Sequence, residues 1–268
     1  MITLFDLASS LRGQAWSPNT WKTRLCLKHK GLSFQTVWVE WPDIQSVAKR
    51  YNFEPIGRRP DGSPHYAVPA ILDDRPDGTR VALSDSWKIA RYLETTYPET
   101  PRLISLGDPK RLEMEESFPA FFRKATFVRL ARVTAPAIVD ILNQPSKMPF
   151  SKIRAIQIYG KDVHSLDQIQ LSIAEKAEVW RSGEEGLGLV GDKYFAGNGV
   201  WSNGENLSWN DVVVAAFLVS LQRIFGEGSE EWAAIRKWHG ERWGVLFDEV
   251  QSLGLFKLED AASTKASL

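Results

Sequence analysis

Cysteine is almost missing from this chain: Cys26 is the one thiol in 268 residues. That excludes an internal disulfide and a zinc site built on several thiolates, and leaves packing as the expected role of Cys26. Net charge is missing too, with 33 basic residues against 33 acidic ones. A nucleic-acid binder normally carries a basic stripe, so nucleic acid is set aside as a partner. A long apolar run is also lacking: VVVAAFLVSL at 212–221 has about half the length needed to span a bilayer. MITLFDLASS reads as a first strand rather than a secretory leader. The expectation is a soluble, cytoplasmic protein with no membrane partner and no metal.

What is present is a large apolar complement, 43% hydrophobic residues with eleven tryptophans, enough for two domains. The first hundred residues alternate in kind. ITLFDL, SFQTVWVEW, AVPAILDD and RVALSD have strand character; PNTWKTRLCLKHK, DIQSVAKRYN and SWKIARYLETTY have helical character. RPDG joins the last two strands in a tight turn, whereas EPIGRRPDGSP reads as a loop. The order βαβαββα makes the first strand pair parallel through a helical crossover and the last pair a hairpin, which is the thioredoxin-like arrangement. The expected fold is therefore α/β plus all-α. A thioredoxin-like domain occupies 1–98, a proline-rich linker 99–109, a helical bundle without strands 110–258, and a loose tail 259–268.

Helix starts are marked clearly. Ser17 before Pro18, and Asp108 before Pro109, are caps followed by proline at the first helical position, and Gly31 closes the first helix. Ser208 with Asp211 forms a capping box, flanked by Leu207 and Val212 as a staple, ahead of a helix apolar on nearly every face. Pro119 and Pro136 are expected to kink or break the earlier helices.

Three features of the first domain converge in such a fold. Ser17 lies at the carboxyl end of the first strand, the usual ligand edge of an open α/β sheet. Val68 precedes Pro69, and a cis bond there turns the Val68 amide and carbonyl outward for an extended peptide. Ser86 opens a helix whose amino end attracts a carboxylate, with Asp85 beside it for an ammonium group. An amine-and-carboxylate site, a strand-pairing site and a hydroxyl together match a γ-glutamyl tripeptide thiol. Whether Ser17 is a cap, a working hydroxyl, or both is open at this point.

SPNTWKTR, AVPAI, SDSWKIARYLE and LSWNDVVVAAF, in this order and over nearly the whole chain, resemble the glutathione transferases. WSPNTWKTRL is most similar to the fungal, etherase-related FuA class, which is serine-type and similar to bacterial lignin β-etherases. The resemblance implies Ser17 as the catalytic serine, Val68 as the backbone anchor, Asp85 and Ser86 as the γ-glutamyl site, glutathione as co-substrate and a homodimer. For the glycine carboxylate the candidates are Lys49, Arg50, Arg58, Arg59 and His65, with His65 placed first. The acceptor is expected at the domain junction between the SSLRGQAW loop and aromatic residues, with Phe118, Phe121, Phe122, Phe127, Trp16 and Trp21 as candidates. Two functions share this pocket: conjugation of hydrophobic aromatic electrophiles, with ether cleavage or peroxide reduction as extensions, or ligandin-type sequestration of aromatics with little turnover. A third reading keeps the fold and loses the site.

Overall fold

The structure, a computed structural model, describes residues 1–197 and 199–256 and, beyond them, the backbone of Thr264–Lys265. The first domain runs β1 (Ile2–Leu7), α1 (Pro18–His29), β2 (Phe34–Val39), α2 (Ile44–Arg50), a small β3–β4 hairpin (Gly57–Arg58 and Pro64–His65), β5 (Ala70–Asp74), β6 (Arg80–Ser84) and α3 (Ser86–Thr96). β1 is buried along its whole length, as a central strand covered on both faces must be. It pairs in parallel with β2 and antiparallel with β5, and β6 closes the sheet against β5. The thioredoxin-like order expected from the sequence is thus observed. The β3–β4 hairpin forms within the segment read as a loop and extends one residue past it, to His65.

A strand after the linker was not expected. β7 (Thr264–Lys265) nevertheless pairs in parallel with Val37 and Trp38. An edge strand such as β2 offers unpaired amides and carbonyls to a passing chain. The rest of the expected tail lies outside the described residues.

Arg24 fixes α1 on the sheet. Its Nε donates to Asp6 Oδ2 at 2.6 Å and its Nη2 to Thr36 Oγ1 at 2.9 Å, while the guanidinium lies 5.0 Å from the centre of the Trp38 ring. Pair and partner are buried, so deleting either leaves an uncompensated charge, at a cost of about 3–5 kcal/mol. The far end of α1 closes as expected, with Gly31 left-handed and Leu32 N–H bonded to the Leu27 carbonyl.

The linker is gripped. Buried Lys30 binds Glu94 at 2.9 Å and also the Thr100 hydroxyl and Pro101 carbonyl. Glu94 accepts from Leu103 N–H, and Glu115 from the amide and hydroxyl of Ser105.

The second domain comprises α4 (Pro109–Ala125), α5 (Phe127–Ile141), α6 (Gln144–Tyr159), α7 (Ile173–Tyr194), α8 (Trp209–Phe225) and α9 (Glu230–Ser252). The helices run through Pro119, Pro136 and also Pro149, so the prolines do not break them. The break falls instead at Thr126 (φ −123°, ψ −67°), whose hydroxyl bonds the Phe122 carbonyl. There α7 presses in: a Cβ on Gly186 would collide with the Ala125 carbonyl oxygen. α9 bends at Trp238–Glu241, where His239, Gly240 and Glu241 all have positive φ. Arg236 clasps Asp248 across the bend through two bonds of 2.8 and 2.7 Å. α8 is the central helix, buried from Trp209 through Leu221. Among the described residues no helix is long and apolar enough to cross a membrane, and no group of metal-ligating side chains is assembled.

Candidate functional site

The site is built at one end of the sheet. β1 delivers the chain at its carboxyl end to the 8–16 loop, which leads into Ser17 and α1. Ser17 is extended (φ −68°, ψ 127°) and 4% exposed, as a capping residue on the inner side of a helix start must be. Its Oγ accepts from Asn19 N–H at 3.3 Å, a long bond. Its carbonyl takes the Trp21 amide and the Thr20 hydroxyl. The Ser17 hydroxyl proton has no acceptor among the described residues. This serine therefore caps its helix with a lone pair and keeps its proton for another group.

β5 runs antiparallel to β1, so the start of β5 lies at the same end of the sheet as the end of β1. The Val68–Pro69 peptide bond there is cis. Val68 precedes the paired stretch of β5, and none of the main-chain bonds outside the regular elements involves it. Its side chain packs against the cluster formed by Leu7, Trp16, Leu142 and Phe150.

β6 returns to that end, and Asp85 follows it with φ 83° and ψ 124°, an unusual conformation for a residue other than glycine. Its amide reaches the Pro69 carbonyl at 3.3 Å, linking the two loops. Asp85 Oδ1 caps α3 by accepting from Trp87 N–H at 2.9 Å and Lys88 N–H at 3.1 Å. Oδ2 is left without a hydrogen bond among the described residues, as is the Ser86 hydroxyl. The sequence pointed to Asp85 as a partner for an ammonium group; the structure adds that one of its oxygens is already a helix cap.

His65 lies apart, exposed on β4, its carbonyl bonded to Ile56 N–H. Partial burial and the neighbouring Arg59 hold its imidazole below the usual histidine range, which favours the neutral ring. Arg58 and Arg59 share the same hairpin, with Arg58 bonded to the Gly62 carbonyl at 2.9 Å. Lys49 and Arg50 are exposed at the end of α2.

Sequence reasoning missed Lys22. It lies on α1 five residues after Ser17; burial lowers its amine to about 8, and the negative charge of Asp85 acts in the opposite direction. Lys22 and Cys26 of α1 and Lys30 at its C-cap recur at helical spacing, so the three share one face. Lys30 is saturated at the bottom of this row, whereas Lys22 has no hydrogen-bonded or ion-paired partner among the described residues. Cys26 between them is buried and its thiol is pushed up to about 12, the behaviour of a packing residue.

On the acceptor side the candidate aromatics divide. Phe118 and Phe122 are fully buried against Tyr194 and Phe217, and Trp16 and Trp21 are buried as well. Phe121 and Phe127 are half-buried. At the domain junction, Phe150 of α6 meets Trp16 and Trp41 edge-on, with Arg154 over the Trp41 and Phe150 rings. Glu40 joins the same seam through Asn143 at 2.7 Å and Ser146 at 2.5 Å.

The arrangement offers a hydroxyl donor at a helix amino end, a carboxylate oxygen and hydroxyl at a second helix amino end, and a main-chain segment before a cis proline. Such a set supplies the complementary groups that a peptide-like zwitterion and an anion beside a helix start require.

Two family models match the chain: "Glutathione S-transferase, N-terminal domain" over residues 16–96 and "Glutathione S-transferase, C-terminal domain" over residues 114–253. Among solved structures, a glutathione S-transferase of Ceriporiopsis subvermispora in complex with glutathione superposes with a TM-score of 0.85 at 32% identity, covering 96% of this chain and 98% of that one. Glutathione transferase GSTFuA3 from Phanerochaete chrysosporium gives 0.84 at 31% identity, over 97% and 98%. A glutathione S-transferase-like protein, ustS, of Aspergillus flavus is 33% identical over 172 residues, which span 60% of this chain and 58% of that relative.

Proposed function

The chain belongs to the glutathione S-transferase family, and on that premise we propose that it activates the glutathione thiol through the Ser17 hydroxyl for attack on hydrophobic aromatic electrophiles. The observation that carries this reading is the Ser17 hydroxyl itself, buried at the start of α1 with its proton uncommitted. Val68 pairs with the backbone of the tripeptide. Ser86 and the start of α3 take the γ-glutamyl carboxylate, and the free oxygen of Asp85 takes its ammonium group. The glycine carboxylate goes to the β3–β4 hairpin; His65 stands there, and Arg59 beside it carries the charge a neutral imidazole lacks.

Chemistry follows from the donor. A free thiol with a pKa of about 8.5 is a few per cent thiolate at neutral pH. Its proton leaves to solvent, and the sulfur anion accepts a hydrogen bond from Ser17 in the field of the helix start. Each unit by which the thiol pKa falls corresponds to about 1.4 kcal/mol, so one charge-assisted bond together with the helix end accounts for one to two units. The thiolate then forms a carbon–sulfur bond as the leaving group departs with the bonding pair. The same steps cleave an activated aryl ether. A homodimer and a cytoplasmic location belong to the same reading.

The ligandin alternative requires aromatic surface. Conjugation of aromatic electrophiles draws on the same surface, and burial of Phe118, Phe122, Trp16 and Trp21 leaves Phe121 and Phe127 of the six candidate rings for either. Turnover separates the two readings. With Ser17→Ala, conjugation of glutathione to an aromatic electrophile is expected to fall about 100-fold while aromatic binding, followed by tryptophan quenching, stays within about twofold. A mutant that conjugates as well as its parent overturns the assignment.

A further inference from the structure

We propose that Arg223, on α8 of the helical domain, is a positioning residue that sets the Ser17 hydroxyl against the glutathione sulfur; this rests on the reading of Ser17 given above. The 8–16 loop is held only in part by its own bonds. Its backbone turns through left-handed Gly13 (φ 69°) and Gln14 (φ 53°), and glutamine gains nothing from that conformation by itself. Its internal bonds run from Gln14 N–H to the Leu11 carbonyl, Ala15 N–H to the Gly13 carbonyl, the Ser9 hydroxyl to the Gln14 carbonyl, Leu11 N–H to the Ser9 hydroxyl and, at 3.4 Å, the Trp16 indole to the Ala8 carbonyl; none of the five engages the Arg12 or Ala15 carbonyl.

The other domain completes it. Arg223 Nε donates to the Ala15 carbonyl at 3.0 Å and Nη2 to the Arg12 carbonyl at 2.5 Å, so one planar fork holds the chain on both sides of the left-handed turn. On the opposite flank the Ser10 amide and hydroxyl both donate to the Ile141 carbonyl at the end of α5, each at 2.9 Å. Ala15 stands two residues before Ser17, and the intervening Trp16 is buried with its indole N–H toward the Ala8 carbonyl at 3.4 Å. The position of Ser17 is therefore set from α8 and α5 as well as from its own helix.

Arg223 has no carboxylate within ion-pair distance among the described residues, so its two carbonyl acceptors are what hold the half-buried guanidinium. Burial correspondingly lowers its pKa. A bidentate grip on main-chain carbonyls is insensitive to the identity of the loop side chains. Lysine cannot reproduce it, because a single ammonium group does not span both carbonyls in one plane.

The groups assigned to the rest of glutathione lie on other elements, Val68 before β5 and Asp85 and Ser86 at α3. Release of the clamp should therefore affect sulfur activation more than tripeptide affinity. In Arg223→Met, kcat is expected to fall about tenfold, with KM for glutathione within about threefold, because small misplacements of a catalytic group are costly in rate. The pH midpoint for ionisation of enzyme-bound glutathione, read from thiolate ultraviolet absorbance, is expected to rise. Amides of residues 11–16 should exchange faster, with α8 protected as in the parent. Arg223→Lys should lie between the two and carries the test if the methionine variant does not fold.

An unchanged thiol midpoint together with unchanged exchange in the loop overturns the proposal. So does equal loss of protection throughout α8 and the core, which marks a purely structural role. The double mutant Ser17→Ala/Arg223→Met separates this proposal from the reading beneath it. If the clamp acts through the serine, Arg223→Met costs almost nothing further once Ser17 is gone. If Ser17→Ala conjugates normally, the serine reading fails, and faster loop exchange in Arg223→Met still shows the clamp. If Ser17→Ala loses activity and Arg223→Met keeps it, the clamp alone fails.

Discussion

Two serines open two helices in this molecule, and they are satisfied differently. At α8, Ser208 is locked into a buried cluster. Asp211 accepts from its amide at 2.7 Å and its hydroxyl at 2.6 Å, and from Ser202 N–H at 2.7 Å. Leu207 and Val212, read as a staple in the sequence, are both buried beside it in the chain. At α1, Ser17 receives one long bond, and its proton goes to nothing in the described chain. Both read as caps in the sequence. A saturated cap spends its whole capacity on the fold, whereas an unsaturated one keeps a directed donor at the point where the helix favours an anion.

Substitution should break the two caps in opposite ways, and the largest effect belongs to the unsaturated one. Ser17→Ala is expected to lower kcat/KM about 100-fold, or about 2.7 kcal/mol in the barrier, while thermal stability falls by about 1 kcal/mol or less. Asp211→Ala reverses the pattern. It strands the buried Ser208 amide and the half-buried Ser202 amide and is expected to lose about 3 kcal/mol of stability, read by denaturant unfolding, with kcat per folded molecule unchanged. If Asp211→Ala also slows turnover at full folding, the capping box reaches the site and the division is wrong.

How far the sequence reveals this depends on what the local chemistry is sensitive to. Proline after a cap, glycine at a helix end and Pro-Asp-Gly between strands act within a few residues, so α1, α3, α4, α8 and the β5–β6 hairpin could be placed from sequence. The break at Thr126 could not, since it arises where α7 meets the Ala125 carbonyl, about sixty residues on in the chain. Pro119 and Pro136 do not break their helices, because burial of Phe118, Phe122 and Ala135 alongside them offsets the loss of one helix bond each. Helical spacing of the phenylalanines likewise reported a face without saying which partner covers it. Ser17, Val68, Asp85 and Ser86 were each visible, but the uncommitted Ser17 proton is a property of the assembled site.

Lys22 sharpens the comparison from within the same helix, since Lys30 two turns on is saturated and Lys22 is not. Burial depresses the folded-state pKa of Lys22 to about 8 from an ordinary 10.5. Below about pH 8 the charge is carried in both folded and unfolded states, so its burial cost is paid in full. As the pH rises from 8 towards 10.5 the unfolded chain binds the extra proton, and the parent protein gains stability. Lys22→Met should therefore raise Tm at pH 7, with the advantage fading across that window. A constant advantage at every pH would show that the depressed amine is not its source.

The smallest effect should come from Cys26, and that smallness is informative. Cys26 is the one thiol of the chain, and so the one sulfur that could stand in for the Ser17 hydroxyl. It lies in the body of α1, 1% exposed, with burial pushing its thiol up to about 12, so it is protonated at neutral pH. Cys26→Ala removes a packed sulfur and should cost about 1 kcal/mol of stability. Glutathione turnover should stay within about twofold of the parent, and the native parent should resist thiol-alkylating reagents. A fall in turnover as deep as that of Ser17→Ala would move the reactive centre from the helix start to the helix body, and the contrast between the two serine caps would lose its meaning.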